Sequence, residues 1–189
     1  MSATRKIKIG IGITGASGAI YAKTLLDELV EKPEVEVYVV MSDNAKIVWE
    51  LELKNTDYKN YPFTFYDKND FFSPLASGSA GWDAFIVVPC SGGTMARIAN
   101  GVSDSLLTRA ADVCLKERRK LILVLRETPY NLIHIQNMEK ITLAGGIILP
   151  ASPSFYHLPE NITTLVKTVT DRIFSLCSIK NKGKKWGAS

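Results

Sequence analysis

The residues best suited to chemistry in this sequence are small and hydroxylated, and they lie at a glycine-rich turn near its start. The turn from Thr14 to Gly18 follows an apolar, β-branched run and precedes a helix-type repeat. Free backbone N–H groups at such a turn, together with the dipole of the following helix, favour an anion. Ser17 either caps that helix or points its hydroxyl at a ligand. We therefore expect this turn to bind an anionic group.

The same kind of residue follows the other predicted strands. Ser42 comes after the second strand, the segment "PCSGGT" (Pro89 to Thr94) after the third, and Arg126-Glu127 after the fourth. Ligands of open parallel sheets bind beyond the carboxyl ends of the strands, so these turns are expected to meet in one pocket. Hydroxyls, glycines and one arginine suit a planar cofactor that carries a phosphate. The lysine motif of a P-loop is absent, so a nucleoside triphosphate is not indicated.

Two competing motifs fail because their residues are out of position. The spacing Gly10-x-Gly12-x-x-Gly15 has the letters of a dinucleotide fingerprint, but Gly10 and Gly12 fall inside the first predicted strand. The acidic residue expected at the end of the second strand is Asp43, one position late. The turn also misses the GxSxG pattern of serine hydrolases by one position. A nicotinamide site and a hydrolase nucleophile are both disfavoured.

Apolar runs alternate with helix-type repeats along the chain. Strands are predicted at 7–13, 35–41, 85–88, 121–125 and 147–149, with one of the helices beginning at Pro129. This alternation predicts a three-layer α/β fold, a Rossmann-like (flavodoxin-like) doubly wound parallel sheet. Residues 55–82 show no period and are expected to be a functional or disordered loop. We expect a single domain over 1–189, with a C-terminal tail from about residue 180.

Composition and charge exclude several classes of protein. The net charge of +4 comes from basic clusters at 118–120 and in the last ten residues, without the interleaved aromatics of a nucleic-acid site. Three cysteines without a CxxC spacing indicate a reducing, cytoplasmic location. No apolar run reaches the roughly 18 residues of a membrane span, and the N-terminus lacks the apolar segment of a signal peptide. Two histidines without a second ligand at helical spacing argue against a metal site.

Four longer motifs resemble those of a known family. They are "GITGASGAIYAKTLL", "VVPCSGGT", "SLLTRAADVCLKERRKLILVLRETPYNLIHIQNM" and "LPASPSFYHLP". Together they resemble the flavin prenyltransferases of the UbiX type, from Ile7 to about Ile179. The resemblance implies a metal-independent enzyme that transfers the dimethylallyl group of dimethylallyl phosphate to N5 of reduced FMN and then closes a ring at C6. It also implies a homododecamer whose product, prenylated FMN, serves a UbiD-type decarboxylase.

The resemblance further implies roles for residues at matching positions. FMN contacts are expected from Gly15, Ala16, Ser17, Ser42, Ser91, Gly92, Gly93, Thr94 and Arg126. The prenyl phosphate is expected to bind to Lys116, Arg126, Glu127, Tyr156 and Arg172. The implied catalytic residues are Ser17, Glu52 and Glu127, of which Ser17 and Glu52 handle protons near flavin N5. Arg109 is expected behind the site or at an interface, and Trp186 over the site.

The chemistry adds two expectations of its own. An allyl cation is stabilised by aromatic faces, for which Trp82, Phe155, Tyr156 and Trp186 are available, whereas His157 is expected only to fix its loop. Because Lys116, Tyr156 and Arg172 lie on separate elements, we expect active sites at subunit interfaces.

The residues themselves leave alternatives open. By pattern alone, Lys116, Glu52 and Arg172 are ordinary exposed helix residues and Tyr156 is a core aromatic. A flavin-dependent decarboxylase of the cysteine-decarboxylase kind would need an early histidine, which this chain lacks. A non-enzymatic FMN carrier would bind FMN without needing the cations. The donor is also open between a monophosphate and a diphosphate.

Overall fold

Strands and helices alternate along the chain in the computed structural model, which describes residues 5–156, 158–181 and 183. The strands are β1 (Ile7–Ile13), β2 (Val35–Met41), β3 (Thr64–Tyr66), β4 (Ala84–Cys90), β5 (Lys120–Leu125) and β6 (Ile147–Pro150). The helices are α1 (Ala19–Val30), α2 (Asp43–Leu53), α3 (Gly92–Ala99), α4 (Leu106–Lys116), α5 (Leu132–Leu143) and α6 (Ile162–Leu176). His157 and Trp186 lie outside the described residues.

The helices cover both faces of one parallel sheet. On one face, α1, α2 and α6 bury Leu25, Trp49 and Phe174 against the strands. On the other face, α3, α4 and α5 form a second apolar cluster around Met95 and Val113. Strand β4 is buried along its whole length, as a central parallel strand rich in β-branched residues should be. The predicted three-layer α/β fold is confirmed.

The strand order locates the ligand side of the sheet. The sheet runs β3-β2-β1-β4-β5-β6, so the chain reverses direction of winding between β1 and β4. Without β3, the remaining five strands have the flavodoxin order, and β3 extends that sheet at one edge. A crevice for a ligand is expected at the reversal, beyond the carboxyl ends of β1 and β4.

The two glycines inside β1 are required by packing. A Cβ added to Gly10 would lie 2.5 Å from Cδ2 of Phe85, and a Cβ on Gly12 would lie 2.9 Å from Cγ of Leu107. Both distances are below ordinary carbon–carbon contact, so only glycine admits these side chains against the strand. These glycines therefore bring the apolar core close to β1, and they take no part in a dinucleotide fingerprint.

The segment from 55 to 82 is more ordered than the sequence predicted. It contains the edge strand β3 and three short 3-10 turns, at Asp57–Asn60, Pro74–Ala76 and Gly78–Ala80. Trp82 is fully buried and donates its indole N–H to the carbonyl of Pro74 at 3.1 Å. The expectation that Trp82 offers a face to an allyl cation is therefore wrong, because its ring is part of the core.

Two strand or helix boundaries differ from prediction by more than one residue. Helix α5 begins at Leu132, capped by Asn131, so Pro129 lies in the preceding turn and does not open the helix. Pro129 was favoured because proline suits a first helical position, but the Asn131 side chain supplies a stronger start signal two residues later. Strand β4 continues through Pro89 to Cys90, where its register against β5 shifts. No helix in the described part of the chain is long and apolar enough to cross a membrane.

Candidate functional site

Three helices begin at one cavity beyond the carboxyl ends of β1, β2 and β4. The cavity has a volume of about 520 Å³, and its wall includes Ser42, Ser91 and Ser105. Each of these serines is the N-cap of a helix, of α2, α3 and α4 respectively, and accepts a hydrogen bond from that helix's first turn. The positive ends of three helix dipoles therefore meet at the cavity, which favours an anionic ligand.

The buried hydroxyl of Thr14 ties two of the turns together. It donates to the carbonyl of Pro89 at 2.7 Å and accepts from the backbone N–H of Ser91 at 3.0 Å. The turn after β1 is thereby held against the turn after β4. A Cβ on Gly15 would lie 2.5 Å from Cβ of Asn44, so this turn also packs closely on the start of α2. Sequence reasoning placed Thr14 in the turn but did not anticipate that it links the two strand ends.

The N-terminus of α1 has its own anion, the carboxylate of Glu52. Helix α1 has Gly18 as its N-cap, with φ of 108° and no side-chain cap from that residue. Glu52, from α2, accepts the N–H of Gly18 at 2.9 Å and that of Ala19 at 2.8 Å. The N–H groups of Gly18 and Ala19 are therefore not free to bind a ligand in this structure, and Ser17 is not the cap. An anionic ligand is directed instead to the starts of α2, α3 and α4.

Glu52 is held in its ionised form by these contacts. Burial raises the pKa of Glu52, but hydrogen bonds from Ser17, Gly18 and Ala19 and the charge of Arg126 lower it further, so that the pKa lies below its ordinary value. Hydrogen bonds to the charged form act in this direction. The structure thus brings together Ser17 and Glu52, the two residues predicted to handle protons.

Arg126 presents a buried donor without a protein partner. Its backbone N–H donates to the carbonyl of Cys90 at 3.0 Å, which fixes the residue at the end of β5. Its Nε is buried and has no hydrogen-bond partner among the described residues. Because buried polar groups are nearly always paired, an unpaired guanidinium N–H fits a site built for a ligand oxygen. This observation, with the three helix N-termini, fits the acceptor-rich phosphate and ring oxygens of FMN.

The predicted FMN residues lie at the carboxyl ends of the strands, next to the cavity. This side of the sheet is called the rim. Those that line the cavity itself are Gly15, Ser42, Ser91 and Thr94. Ala16, Ser17, Gly92 and Gly93 lie in the same two turns, the first two after β1 and the others at the start of α3. Arg126 and Glu127 follow β5 at this rim. The Oε1 atom of Glu127 accepts the N–H of Thr128 at 3.1 Å.

Lys116 lies at the amino ends of the strands, whereas Arg126 lies at their carboxyl ends. It ends α4, where it forms an ion pair with Glu117, and β5 begins four residues later at Lys120. Arg126 follows the other end of β5. Since a strand rises about 3.3 Å per residue, the length of β5 separates the two cations by roughly 20 Å. One chain does not bring Lys116 to the rim.

Arg172 and Tyr156 complete the predicted phosphate set. Arg172 is exposed near the end of α6 and makes no hydrogen bond or ion pair within the described residues. That end of α6 lies at the start of β5, because Lys120 donates to the carbonyl of Leu176. Tyr156 is 73% exposed in the segment after β6. The predicted phosphate-binding residues are therefore divided between the two ends of the strands. That they bind one phosphate together stays a prediction.

The cavity wall contains charged residues that sequence reasoning missed. Lys68 forms an ion pair with Asp43, and Arg97 forms one with Asp104 at 3.4 Å. The carbonyl of Lys68 accepts the N–H of Leu106 at 2.7 Å, which holds the 55–82 segment against the start of α4. The only sequence signal was that a long loop of this kind is usually functional. Within the described residues, no cluster of three or more potential metal ligands occurs.

Arg109 and the segment at 74–80 support the outer side of α4. The Arg109 Nε donates to the carbonyl of Ala76 at 3.2 Å, and its Nη1 pairs with Asp112 at 2.7 Å. Arg109 therefore anchors a turn in this chain. Whether it also meets another subunit stays a prediction.

The chain matches the flavoprotein family over residues 1–174. It is 44% identical to the flavin prenyltransferase UbiX of Methanocaldococcus jannaschii, covering 96% of this chain and 99% of that protein. A crystal structure of AnUbiX in complex with FMN and dimethylallyl pyrophosphate matches with a TM-score of 0.89 at 36% identity, over 96% of this chain and 100% of that one.

A dodecameric FMN-dependent UbiX-like decarboxylase from Escherichia coli has the same fold. It matches with a TM-score of 0.92 at 38% identity, covering 96% of this chain and 100% of that one. The family match over residues 1–174 includes every turn of the rim described above. The chain therefore belongs to the flavoprotein family and, within it, to the flavin prenyltransferases of the UbiX type.

Proposed function

We propose that this protein is a flavin prenyltransferase, which moves the dimethylallyl group from dimethylallyl phosphate to N5 and C6 of reduced FMN. The observation that carries the proposal is the rim cavity, where three helix N-termini converge, together with the buried Nε of Arg126, which follows β5 at the same rim and has no partner among the described residues. The relatives named flavin prenyltransferase, and the related structure that contains FMN and a dimethylallyl ester, support this function over a decarboxylase.

The chain's own residues would hold the flavin at this rim. Reduced FMN, when bound, supplies the two nucleophilic ring atoms. The starts of α2, α3 and α4 would bind its phosphate through backbone N–H groups, with Ser42, Ser91 and Thr94 beside them. Arg126 would donate its unpaired N–H to a flavin oxygen. The cavity volume of about 520 Å³ falls within the usual range for a bound cofactor.

Ser17 and Glu52 would manage protons next to the α1 turn. The Ser17 hydroxyl lies beside the Glu52 carboxylate and helps to lower its pKa, so the carboxylate stays ionised. An ionised carboxylate that already accepts several hydrogen bonds is a weak base. We therefore assign Glu52 the task of orienting Ser17 and of receiving a proton only transiently, when one of its N–H contacts is released.

The leaving phosphate would be stabilised by cations from more than one subunit. A charge-assisted hydrogen bond contributes about 1.5–3 kcal/mol, and each 1.36 kcal/mol is about tenfold in rate, so three such contacts would supply several powers of ten. The candidates are Lys116, Arg126 and Arg172. Because Lys116 lies roughly 20 Å from Arg126 within one chain, a neighbouring chain must bring it to the rim.

We accordingly propose a homo-oligomer, a dodecamer like the related structure from Escherichia coli. Helix α5 exposes Leu132, Ile133 and Leu143, the last to 80%, and Phe72 is fully exposed. Apolar side chains exposed in such number favour burial between subunits. Sedimentation would show a large assembly, and an active monomer would contradict the proposal.

Anaerobic incubation with reduced FMN and dimethylallyl phosphate tests the function directly. The expected result is a flavin whose mass has increased by one prenyl unit, and an unchanged flavin mass would remove the proposal. A parallel incubation with the diphosphate decides the form of the donor, since the related structure holds dimethylallyl pyrophosphate. An FMN carrier would bind FMN but return it unmodified.

We also propose that the product serves a UbiD-type decarboxylase, in the cytoplasm. Adding the reaction mixture to such an apo-decarboxylase should restore its activity, whereas a mixture without the prenyl donor should not. The three buried free thiols, Cys90, Cys114 and Cys177, are compatible with a reducing compartment.

A further inference from the structure

We propose that Lys68 and Arg97 bind the phosphate group of FMN, and thereby select FMN over flavins that lack a phosphate. The inference rests on the proposed function, because it concerns the cofactor of the same cavity. Both side chains belong to residues of the cavity wall. Neither residue was among the FMN contacts expected from the sequence.

Lys68 lies beside the starts of two of the three helices that meet at the cavity. Its ammonium group forms an ion pair with Asp43, in the first turn of α2. Its backbone carbonyl accepts the N–H of Leu106, the first residue of α4, at 2.7 Å. Lys68 therefore brings a positive charge to the part of the wall where helices already begin.

Arg97 supplies a second positive charge at the third helix. It lies one turn into α3, and its guanidinium is turned back toward the start of that helix, where Nη1 donates to the carbonyl of Gly93 at 3.3 Å. Its Nε pairs at 3.4 Å with Asp104, which immediately precedes Ser105, the N-cap of α4. The starts of α2, α3 and α4 thus each have a cationic side chain nearby. The side-chain charges and the helix dipoles favour the same anionic ligand.

Both cations are held by carboxylates that they can leave at small cost. The side chains of Asp43 and Asp104 are 61% and 54% exposed, and an ion pair that water screens contributes little to stability. Asp104 also accepts the hydroxyl of Thr108 at 3.3 Å, and Asp43 lies at the positive end of a helix, so each carboxylate keeps a favourable contact without its cation. A phosphate monoester offers three acceptor oxygens and nearly two negative charges at pH 7. It is therefore the stronger partner for both cations.

The affinities for two flavins separate phosphate binding from a structural role. FMN and riboflavin share one ring system and differ in the phosphate, and quenching of flavin fluorescence measures the Kd of each. We expect Lys68→Met and Arg97→Met each to raise the Kd for FMN about tenfold, because a charge-assisted contact at a partly exposed wall gives a modest gain. The Kd for riboflavin should stay within about twofold of the wild type. Lys46→Met is the matched control, since Lys46 is an exposed lysine of α2 outside the wall of this cavity.

Asp43→Asn tests the alternative that Lys68 acts only by holding the start of α2. In that case Asp43→Asn would weaken FMN binding as much as Lys68→Met does. If Lys68 binds the phosphate, loss of the competing carboxylate leaves the affinity for FMN equal to that of the wild type or higher. The dependence of FMN affinity on salt gives a further readout, which should be shallower in Lys68→Met and Arg97→Met than in the wild type.

An equal loss of affinity for FMN and riboflavin in Lys68→Met and Arg97→Met would overturn the inference. Wild-type preference for FMN in both variants would also overturn it, as would a wild type that binds the two flavins equally. A wild type that binds FMN through these cations but prenylates no flavin would remove the proposed function and leave the inference standing. Prenylation of FMN by a wild type whose two variants keep its FMN affinity would do the reverse.

Discussion

Replacing Glu52 with alanine removes the carboxylate that caps helix α1. The N-cap residue Gly18 offers no side-chain acceptor, and the N–H groups of Gly18 and Ala19 both donate to Glu52. In Glu52→Ala those groups would turn to water, and the positive end of the helix dipole would lose its nearest negative charge. The variant should therefore be less stable than the wild type, although Glu52 lies on α2, well away from α1 in sequence.

The size of the effect follows from measured helix caps. Losing a side-chain cap costs about 0.5–2 kcal/mol, and the exposure of Glu52 to screening water places the loss in the lower half of that range. A loss of about 1 kcal/mol lowers the melting temperature of a chain of this size by about 2–4 °C. The pKa of Glu52 is lowered from its ordinary 4.5, so its stabilisation is complete above that value. It is lost as the pH falls through the folded-state pKa, where protonation removes the charge.

Thermal unfolding followed by circular dichroism, at one fixed protein concentration, would measure this difference at pH 7 and again below pH 4. Glu139→Ala is the matched control, because Glu139 is an exposed helix glutamate without an ion pair or hydrogen bond among the described residues. The cap explanation fails if Glu52→Ala and Glu139→Ala have the same melting temperature at pH 7. It also fails if the difference from the wild type grows as the pH falls.

Two further substitutions test separate parts of the rim. Thr14→Val should cost about 1–3 kcal/mol in the free energy of unfolding, because the carbonyl of Pro89 and the N–H of Ser91 lose their partner, and it should weaken FMN binding measured by fluorescence quenching. Gly10→Ala should destabilise by about 1–3 kcal/mol, because its Cβ would meet Phe85, yet leave FMN affinity unchanged. A loss of FMN affinity in Gly10→Ala would revive the dinucleotide interpretation.

The fold was predictable where the sequence of a single strand or helix shows its full hydrophobic pattern. The five longer strands are runs of β-branched and apolar residues, and β4 is buried along its whole length, so their positions were clear from sequence. Strand β3 has only three residues at the edge of the sheet, too few to show a period. The buried Trp82 lay in a stretch without periodicity, because its contacts are with a 3-10 turn and β4.

The site was predictable to the extent that strand ends define it. Turns after parallel strands meet at one edge whatever the distance in sequence, so Ser42, Ser91 and Arg126 were expected together. Contacts between helices carry no such rule. The capping of α1 by Glu52, and the approach of His134 to Gly92, depend on which faces of neighbouring helices pack together. Only the folded chain establishes those.

The predicted phosphate-binding residues lie at opposite ends of the strands within one chain. This separation allows a direct test of whether one active site is built from two subunits. Lys116→Ala subunits keep Arg126 at the carboxyl ends of the strands, and Arg126→Ala subunits keep Lys116 at the amino ends. Neither protein alone should transfer the prenyl group, although Lys116→Ala should still bind FMN. In an equal mixture that assembles randomly, a site built from two chains would contain both cations in about a quarter of cases.

Activity regained on mixing would therefore show that Lys116 acts in the active site of a neighbouring subunit. The two variants would carry different affinity tags, so that hybrid assemblies can be isolated by both tags in succession. If such hybrids transfer no more prenyl groups than the parent variants, the cations do not act across subunits. The separation of roughly 20 Å along β5 then means that Lys116 has no part in the reaction at all.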